Sequence, residues 1–417
     1  MQATFMHLAD VHLGYKQYGS EERFNDFALA FDVAVNIALE NDVNFVVLSG
    51  DLFHKSAIDP ATLLQAVNNL DRLREAQIPV VAITGNHDRA RYRDPSRSSW
   101  LDYLSERGHL ILLTPSYETE PLQFRAWNGS QGGTIDIDGV RLIGLPYLGS
   151  SLEKILKEIP AALATLEPAE YCLLMGHFGL EGEVPGMAGG VPLESLQPLR
   201  DHVDYLALGH LHKPYTRQDW IYNPGSLETC SMSERNWQGG VNIVNVDTDR
   251  DPKHRTKHVP IPTRPFYRWT FEVDAYTTPE ALYSTLESFL QNEKSNHPGE
   301  DRQPIVELNL EGVLAFDRAA LDVGHLQALL KEIVDPLMPR LRNNTRATEF
   351  EVGVEDGRSR QQLERQVILD LIQQDSRYSE RADFWADLIQ EIKTLTLANR
   401  PADEIVDTLR QRTADKD

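Results

Sequence analysis

Basic residues are scarce: 41 lysines and arginines face 63 aspartates and glutamates, giving a formal net charge of -22. That balance argues against a general nucleic-acid coat, since polyanion binders carry a basic face. Only a local basic surface, a metal centre or a basic partner would overcome it. Cysteine is scarcer still, with only Cys172 and Cys230. A disulfide framework is excluded, a reducing cytoplasm fits, and ordinary packing is the expected role of both thiols. No apolar run approaches the roughly 18 residues that span a bilayer, so no membrane partner is expected. Met1 to His12 lacks a basic segment followed by a long apolar core, so no signal peptide is expected and the chain reads as cytoplasmic. There is no internal repeat and no low-complexity region.

What is present is ordinary in amount, with 41% hydrophobic and 25% charged residues over a length of 417. That length predicts two or three domains. Thr4 to His12 reads as a short strand ending in Asp10-x-His12. Phe24, Phe27, Ala28, Phe31, Val35 and Ala38 fall at helical spacing. Phe45 to Leu48 is a second strand, ending in Ser49-Gly50-Asp51-Leu52-Phe53-His54, and a helix over about 61–76 follows. The strand at Ile78 to Thr84 stops at Gly85-Asn86-His87-Asp88. Strand, helix, strand, helix, strand implies parallel strands with right-handed crossovers, so three strand ends share one edge of a sheet. Arg89, Arg91, Arg93 and Arg97 leave directly from Asp88, either as a solvated loop or as a phosphate-contacting one.

A helix near 98–107 leads into a more strand-rich stretch. Leu110 to Leu113, Gly133 to Asp138 and Arg141 to Pro146 read as strands, with hairpin turn chemistry at Asp138-Gly139. A helix over about 152–166 precedes a strand at Tyr171 to Met175 that ends in Gly176-His177. Tyr205 to Leu208 ends in Gly209-His210-Leu211-His212, and Ile221 to Ser226 and Val241 to Val246 read as closing strands of a second sheet. Three prolines, Pro260, Pro262 and Pro265, mark a boundary. Beyond it lies a small α/β domain: strands at 266–273, 305–310 and 348–354, helices at 279–292 and 321–334, and a polar, flexible loop at 293–303. Residues 356–417 are helical by pattern, with one stripe of Leu363, Val367, Leu371 and Ile372 and another of Phe384, Leu388, Ile392 and Leu395. Short amphipathic helices of this kind pack on the body or dock on a partner.

The strand ends collect Asp10, His12, Asp51, Asn86, His87, Asp88, His177, His210 and His212. Each alone is weak, because a single Gly-His is more often structural. Five histidines, three aspartates and one asparagine at the ends of five strands are not a chance assembly. Carboxylate, imidazole and amide oxygen suit two divalent ions of the manganese, iron or zinc type. Ions roughly 3.5–4 Å apart repel and need a shared carboxylate. Asp51 is the best bridge, because its strand falls in sequence between those bearing Asp10 and Asn86. The chemistry such a pair supports is in-line attack of an activated water on phosphorus. His87 is then the candidate to protonate the leaving oxygen, with Asp88 holding its tautomer.

The order of these motifs resembles that of calcineurin-like metallophosphoesterases. Leu8 to Gly14, Ser49 to His54, Thr84 to Asp88 and Tyr222-Asn223-Pro224-Gly225-Ser226 further resemble the SbcD-type DNA-repair exonucleases. The resemblance implies an α/β fold built as a two-sheet β-sandwich flanked by helices, in a nuclease domain at 1–260. A small α/β capping domain at 265–355 and a helical tail at 356–417 would follow. It implies that one metal takes Asp10, His12, Asp51 and His212, and the other Asp51, Asn86, His177 and His210. His54 would face the substrate phosphate. It further implies two Mn2+ ions, a homodimer through the helices near 61–76 and 98–107, and an SMC-like ATPase, SbcC, docking on the C-terminal helices. The function so implied is hydrolysis of DNA phosphodiesters in double-strand break or hairpin processing.

A protein phosphatase of the same superfamily is disfavoured. Gly50-Asp51 is followed by Leu-Phe-His rather than Asp-Arg-Gly, and the third motif ends in Asp88 rather than Glu. A phosphodiesterase or nucleotidase acting on small phosphate esters is the alternative that the metal residues alone leave open. A non-catalytic scaffold is disfavoured by the intact ligand set.

Overall fold

Alternation along the central strands decides the layering. In β1 (Gln2–Leu8), Ala3 and Phe5 point one way, while Met6 and Leu8 point the other. The same holds for β2 (Phe45–Leu48), where Phe45 and Val47 oppose Val46 and Leu48. Both sets are buried, as parallel strands covered on both faces require. The structure is a computed structural model that describes residues 1–89, 98–116, 122–186, 189–297, 302–347, 360–373, 378, 381–397, 400 and 402–414.

Helix α1 (Glu21–Glu40) follows β1 and is capped by Ser20, whose side chain accepts from the Arg23 amide. Phe24, Phe27, Phe31 and Val35 form its buried face. Helix α2 (Pro60–Glu75) begins with Asp59 as cap and Pro60 in the first turn, where a missing N–H costs nothing. Next come β3 (Val80–Ala82), α3 (Trp100–Glu106) with a Ser99/Asp102 capping box, and β4 (Ile111–Leu112). Strands β5 (Thr134–Ile137) and β6 (Val140–Leu145) form the expected hairpin, with Asp138 and Gly139 both at positive φ. Helix α4 (Leu152–Leu163), β7 (Tyr171–His177), β8 (Tyr205–Gly209), β9 (Tyr215–Arg217) and β10 (Ile221–Asn223) follow. Then come β11 (Gly240–Asp247) and β12 (His254–Pro260).

Two six-stranded sheets result, in the orders β12-β11-β1-β2-β3-β4 and β5-β6-β7-β8-β10-β9. Phe5, Phe45, Val47 and Val81 of the first sheet share one core with Leu142, Leu173, Tyr205 and Ala207 of the second. Helices α1–α3 cover the outer face of the first sheet, and α4 covers that of the second. The architecture is the α/β two-sheet sandwich flanked by helices. One placement differs from expectation. Val241–Val246 lies in β11, which closes the first sheet, antiparallel to β1, and not the second. An apolar run announces that it will be buried but does not name its neighbour. Strand β12 went unread because His254-Arg255-Thr256-Lys257-His258 is polar, as an edge strand tolerates.

A buried ion network ties α1 to the segment after β10. Arg23 pairs with Asp26 at 2.7 Å and Glu228 at 3.2 Å, and donates to the Thr229 carbonyl at 2.8 Å. Arg264 reaches Asp26 at 2.6 Å. Each buried charge has a partner, without which its desolvation would be costly.

The chain divides into two compact units, residues 1–268 with 299–307 and 336–338, and the remainder. Beyond β12 come β13 (Phe266–Glu272), α5 (Pro279–Asn296), β14 (Ile305–Glu311), β15 (Val313–Leu314), α6 (Val323–Val334), β16 (Met338–Asn343) and β17 (Arg346–Ala347). Strands β13, β14 and β16 form a three-stranded sheet in that order. Leu282, Leu286 and Leu290 of α5 and Leu326 and Leu330 of α6 are buried. Residues 293–296, read as part of a loop, continue α5, and the expected strand at 348–354 lies outside the described residues. Helices α7 (Arg360–Gln373), α8 (Ala382–Leu397) and α9 (Ala402–Ala414) form the tail. Arg365 joins α7 to α8 through Asp383 and Asp387, at 2.9 and 2.7 Å.

Candidate metal centre

The loops after β1 and β2 are stitched together by their backbones. The amides of Val11 and His12 donate to the Asp51 carbonyl at 2.9 and 3.1 Å, and the Asp10 amide donates to the Gly50 carbonyl at 3.1 Å. Asp10, His12 and Asp51 take φ near +53°, and His210 takes +88°. Few side chains adopt that region, and strain of this kind collects at functional sites. Glycine beside these residues has a steric cause. A Cβ at Gly85 would overlap the Asp51 carboxylate, and one at Gly50 would overlap the His177 ring.

Asp51 is the shared group. One of its oxygens accepts the His87 amide at 2.8 Å, and the other lies 3.3 Å from His177 Nε2. On one side Asp10, His12 and Asp51 bring donor atoms within 4.8 Å of one another. His212 joins them, its Nε2 lying 3.0 Å from His12 Nε2. On the other side His177 Nε2 and His210 Nδ1 lie 3.0 and 2.9 Å from Asn86 Oδ1. Donor atoms thus gather on both sides of Asp51, and His12 also brings a ring nitrogen within 4.8 Å of those of His54 and His87. Their oxygen and nitrogen donors suit hard-to-borderline divalent ions. Buried His12 Nδ1 has no partner among the described residues.

Burial shapes the charges. It pushes His12 well below its usual range, with His212 adding to the effect. It pushes His210 down to about 4, with His177 adding. Burial thus favours the neutral form of these two imidazoles, whereas His177 and His212 are raised against burial, by Asp51 and by Cys230 respectively. Burial works against ionisation of Asp51, but the neighbouring His177, then His12 and His87, more than reverse it and hold the carboxyl below its ordinary value. Burial raises Asp10 to about 6.

His54 and His87 stand beside these donors, with ring centroids 5.2 Å apart and near-parallel planes. Tyr15 stacks on His54 at 3.7 Å. Asp88 departs from the expected arrangement. Its carboxylate accepts the amides of Leu52, Phe53 and Gly85, at 3.3, 2.9 and 3.1 Å, and makes no bond to the His87 ring. The His54 carbonyl, 2.7 Å away, holds His87 Nδ1 instead. Three backbone donors out-compete one imidazole because they converge at the buried turn. Arg89 is exposed, with its guanidinium 5.8 Å from the Tyr147 ring. Arg91, Arg93 and Arg97 lie outside the described residues.

Three residues here carry duties that the sequence reading missed. Asn223 donates to the carbonyls of Leu211 and Lys213, at 2.5 and 2.8 Å, and so clamps the His210–His212 loop. Glu234 accepts from His212 Nδ1 at 3.1 Å and from the Cys230 amide at 2.8 Å. Cys230, expected only to pack, brings its sulfur within 4.8 Å of the ligand nitrogens of His12 and His212. The Asn223-Pro224-Gly225 run was a signal for the first. Glu234 follows no strand end and had none.

The calcineurin-like phosphoesterase family profile matches residues 3–214. The DNA double-strand break repair protein Mre11 of Aeropyrum pernix is 30% identical over 64% of this chain and 63% of its own length. The protein of the same description from Archaeoglobus fulgidus is 33% identical over 55% of this chain and 51% of its own. That from Thermoplasma acidophilum is 27% identical over 82% and 86%. This chain thus spans about half to two thirds of the length of the first two relatives.

If Glu234 fixes His212, Glu234→Ala should weaken Mn2+ binding by about 10- to 100-fold, measured by calorimetric titration of the full chain. Unchanged affinity would contradict that role. With half the chain matched by the family profile and donor atoms gathered around Asp51, the chain belongs to the calcineurin-like phosphoesterase family.

Proposed function

We propose that this protein is a manganese-dependent DNA nuclease that hydrolyses phosphodiesters in double-strand break or hairpin processing. The observation that carries the reading is the clustering of oxygen and nitrogen donors around Asp51, with His54 and His87 grouped beside His12. One ion's set comprises Asp10, His12, Asp51 and His212, and the other's Asp51, Asn86, His177 and His210. Two divalent ions held there would supply an activated water and a clamp on the phosphate. The curated relatives, described as DNA double-strand break repair proteins, support DNA as the substrate.

The chain's own groups do the rest. The His54 carbonyl occupies His87 Nδ1, which leaves Nε2 as the position that takes up and gives back a proton. His87 serves as general acid to the leaving oxygen. Asp88 acts on it only through the backbone, by locking the turns at Gly85 and at Leu52-Phe53 against each other. His54, stacked with Tyr15 and with His87, faces the phosphate. Arg89, exposed two residues after His87, begins a basic run with Arg91, Arg93 and Arg97 that is assigned to the DNA backbone.

The same reading makes the protein a homodimer, through α2 and α3, and the partner of an SMC-like ATPase of the SbcC type. Exposed apolar side chains in the tail support docking there: Val367 and Leu371 on α7, Ile389 on α8, and Val406 and Leu409 on α9.

Purified full chain with Mn2+ should cleave DNA ends in preference to small phosphodiester esters. His87→Ala should keep both ions and lose about 10²-fold or more of that activity. Preference for the small ester would favour a nucleotidase or small-ester phosphodiesterase instead, and loss of metal on His87→Ala would undo its assignment. Removal of residues 356–417 should abolish co-purification with an SbcC-type ATPase. Retained binding would contradict the docking role.

A further inference from the structure

Cys230 stands at the edge of the centre, outside both ligand assignments. Its sulfur and the ligand nitrogens of His12 and His212 all fall within 4.8 Å of one another. His12 and Cys230 are buried, and His212 is half-buried. The backbone at the thiol is held from both sides. Glu234 accepts its amide at 2.8 Å, and the Gln17 side chain donates to its carbonyl at 2.6 Å. Gln17 is held in turn by Arg23 at 2.8 Å. The same Glu234 carboxylate accepts from His212 Nδ1 at 3.1 Å, so one group fixes the thiol and the imidazole against each other. The sulfur itself is lightly engaged, donating to the Glu228 carbonyl at 3.5 Å and meeting the His212 ring. His12 adds a second, independent sign. It is fully buried, yet its Nδ1 has no partner among the described residues, and a buried polar atom of that kind calls for a water or an ion.

The donors of this trio differ in kind from those around Asp51. Carboxylate and amide oxygens suit manganese, whereas a thiolate with two imidazoles suits zinc. A tetrahedral zinc ion, with Zn–S about 2.3 Å and Zn–N about 2.0 Å, spaces sulfur and nitrogen by about 3.5 Å. Side-chain movements of about 1 Å therefore close the trio on an ion. Asp10, whose carboxylate lies within 4.8 Å of the His12 ligand nitrogen, is at hand as a fourth donor.

We propose that Cys230, with His12 and His212, forms a thiolate site that takes zinc in place of manganese at that position. The assignment rests on the metal-centre reading and gives it a choice of metal. On binding, the S–H bond breaks, a bond from sulfur to the ion forms, and the proton passes to solvent. Zinc in this site and manganese in the first position both need His12 and His212, so the two exclude each other and zinc antagonises manganese.

Absorption titration of the full chain, stripped of metal by a chelator, with Co2+ as the spectroscopic substitute for Zn2+ tests this. The unaltered chain should show a sulfur-to-cobalt charge-transfer band in the near ultraviolet beside d–d bands in the visible, and added Zn2+ should bleach the charge-transfer band. Cys230→Ser and Cys230→Ala should lose that band and keep d–d bands. Cys172→Ser, which alters the other thiol of the chain, should keep both. Zinc affinity in Cys230→Ser, measured by competition with a chromogenic chelator, should fall about 10-fold or more, at least the loss that an outer partner of a ligand causes. Manganese affinity should change less. In the unaltered chain, d–d bands without the charge-transfer band overturn the thiolate site and leave the metal centre standing. So does a charge-transfer band that survives Cys230→Ser or disappears in Cys172→Ser, or a zinc affinity that Cys230→Ser leaves unchanged. Bands of neither kind overturn both.

Discussion

The centre depends on one carboxylate being held where two sets of ligands can share it. Asp51 sits at positive φ, with its backbone carbonyl taken by the amides of Val11 and His12 and its side chain by the His87 amide. Those bonds come from two other strand ends, the first two from the turn after β1 and the third from the turn after β3. Parallel strands joined by right-handed crossovers bring β1, β2 and β3 to one edge, and burial on both faces fixes their register. The second sheet delivers His177 and the His210–His212 loop to the same edge. Packing of the two sheets thus brings the members of each group together, and the strained turns hold the atoms in place.

This arrangement explains why the motifs pair small residues with ligands. Gly50 and Gly85 leave no room for a Cβ between Asp51, His177 and the turn. It also gives Asp88 a different job from the one its position beside His87 suggests. A buried carboxylate that accepts three amides is a structural staple, and burial, with Asp51 nearby, raises it to about 7. The imidazole beside it answers to a backbone carbonyl from another loop.

That these side chains gather in one place was legible in the sequence because each follows a buried strand, and strand ends are readable from runs such as Phe45 to Leu48 and Val80 to Ile83. The sandwich of two sheets was legible for the same reason. Strand order was less so: β11 joined the first sheet because pairing partners are chosen over a separation of more than 200 residues, which no local pattern encodes. Glu234 and Cys230 escaped notice because the 3₁₀ turn and extended segment around them carry no periodic signal.

The central claim is that Asp51 joins two metal positions in one centre. Electron paramagnetic resonance of the full chain titrated with Mn2+ addresses it directly. The account predicts two ions per chain with the signature of spin coupling, and loss of that coupling in Asp51→Asn. A single uncoupled ion, or coupling that survives Asp51→Asn, would contradict it.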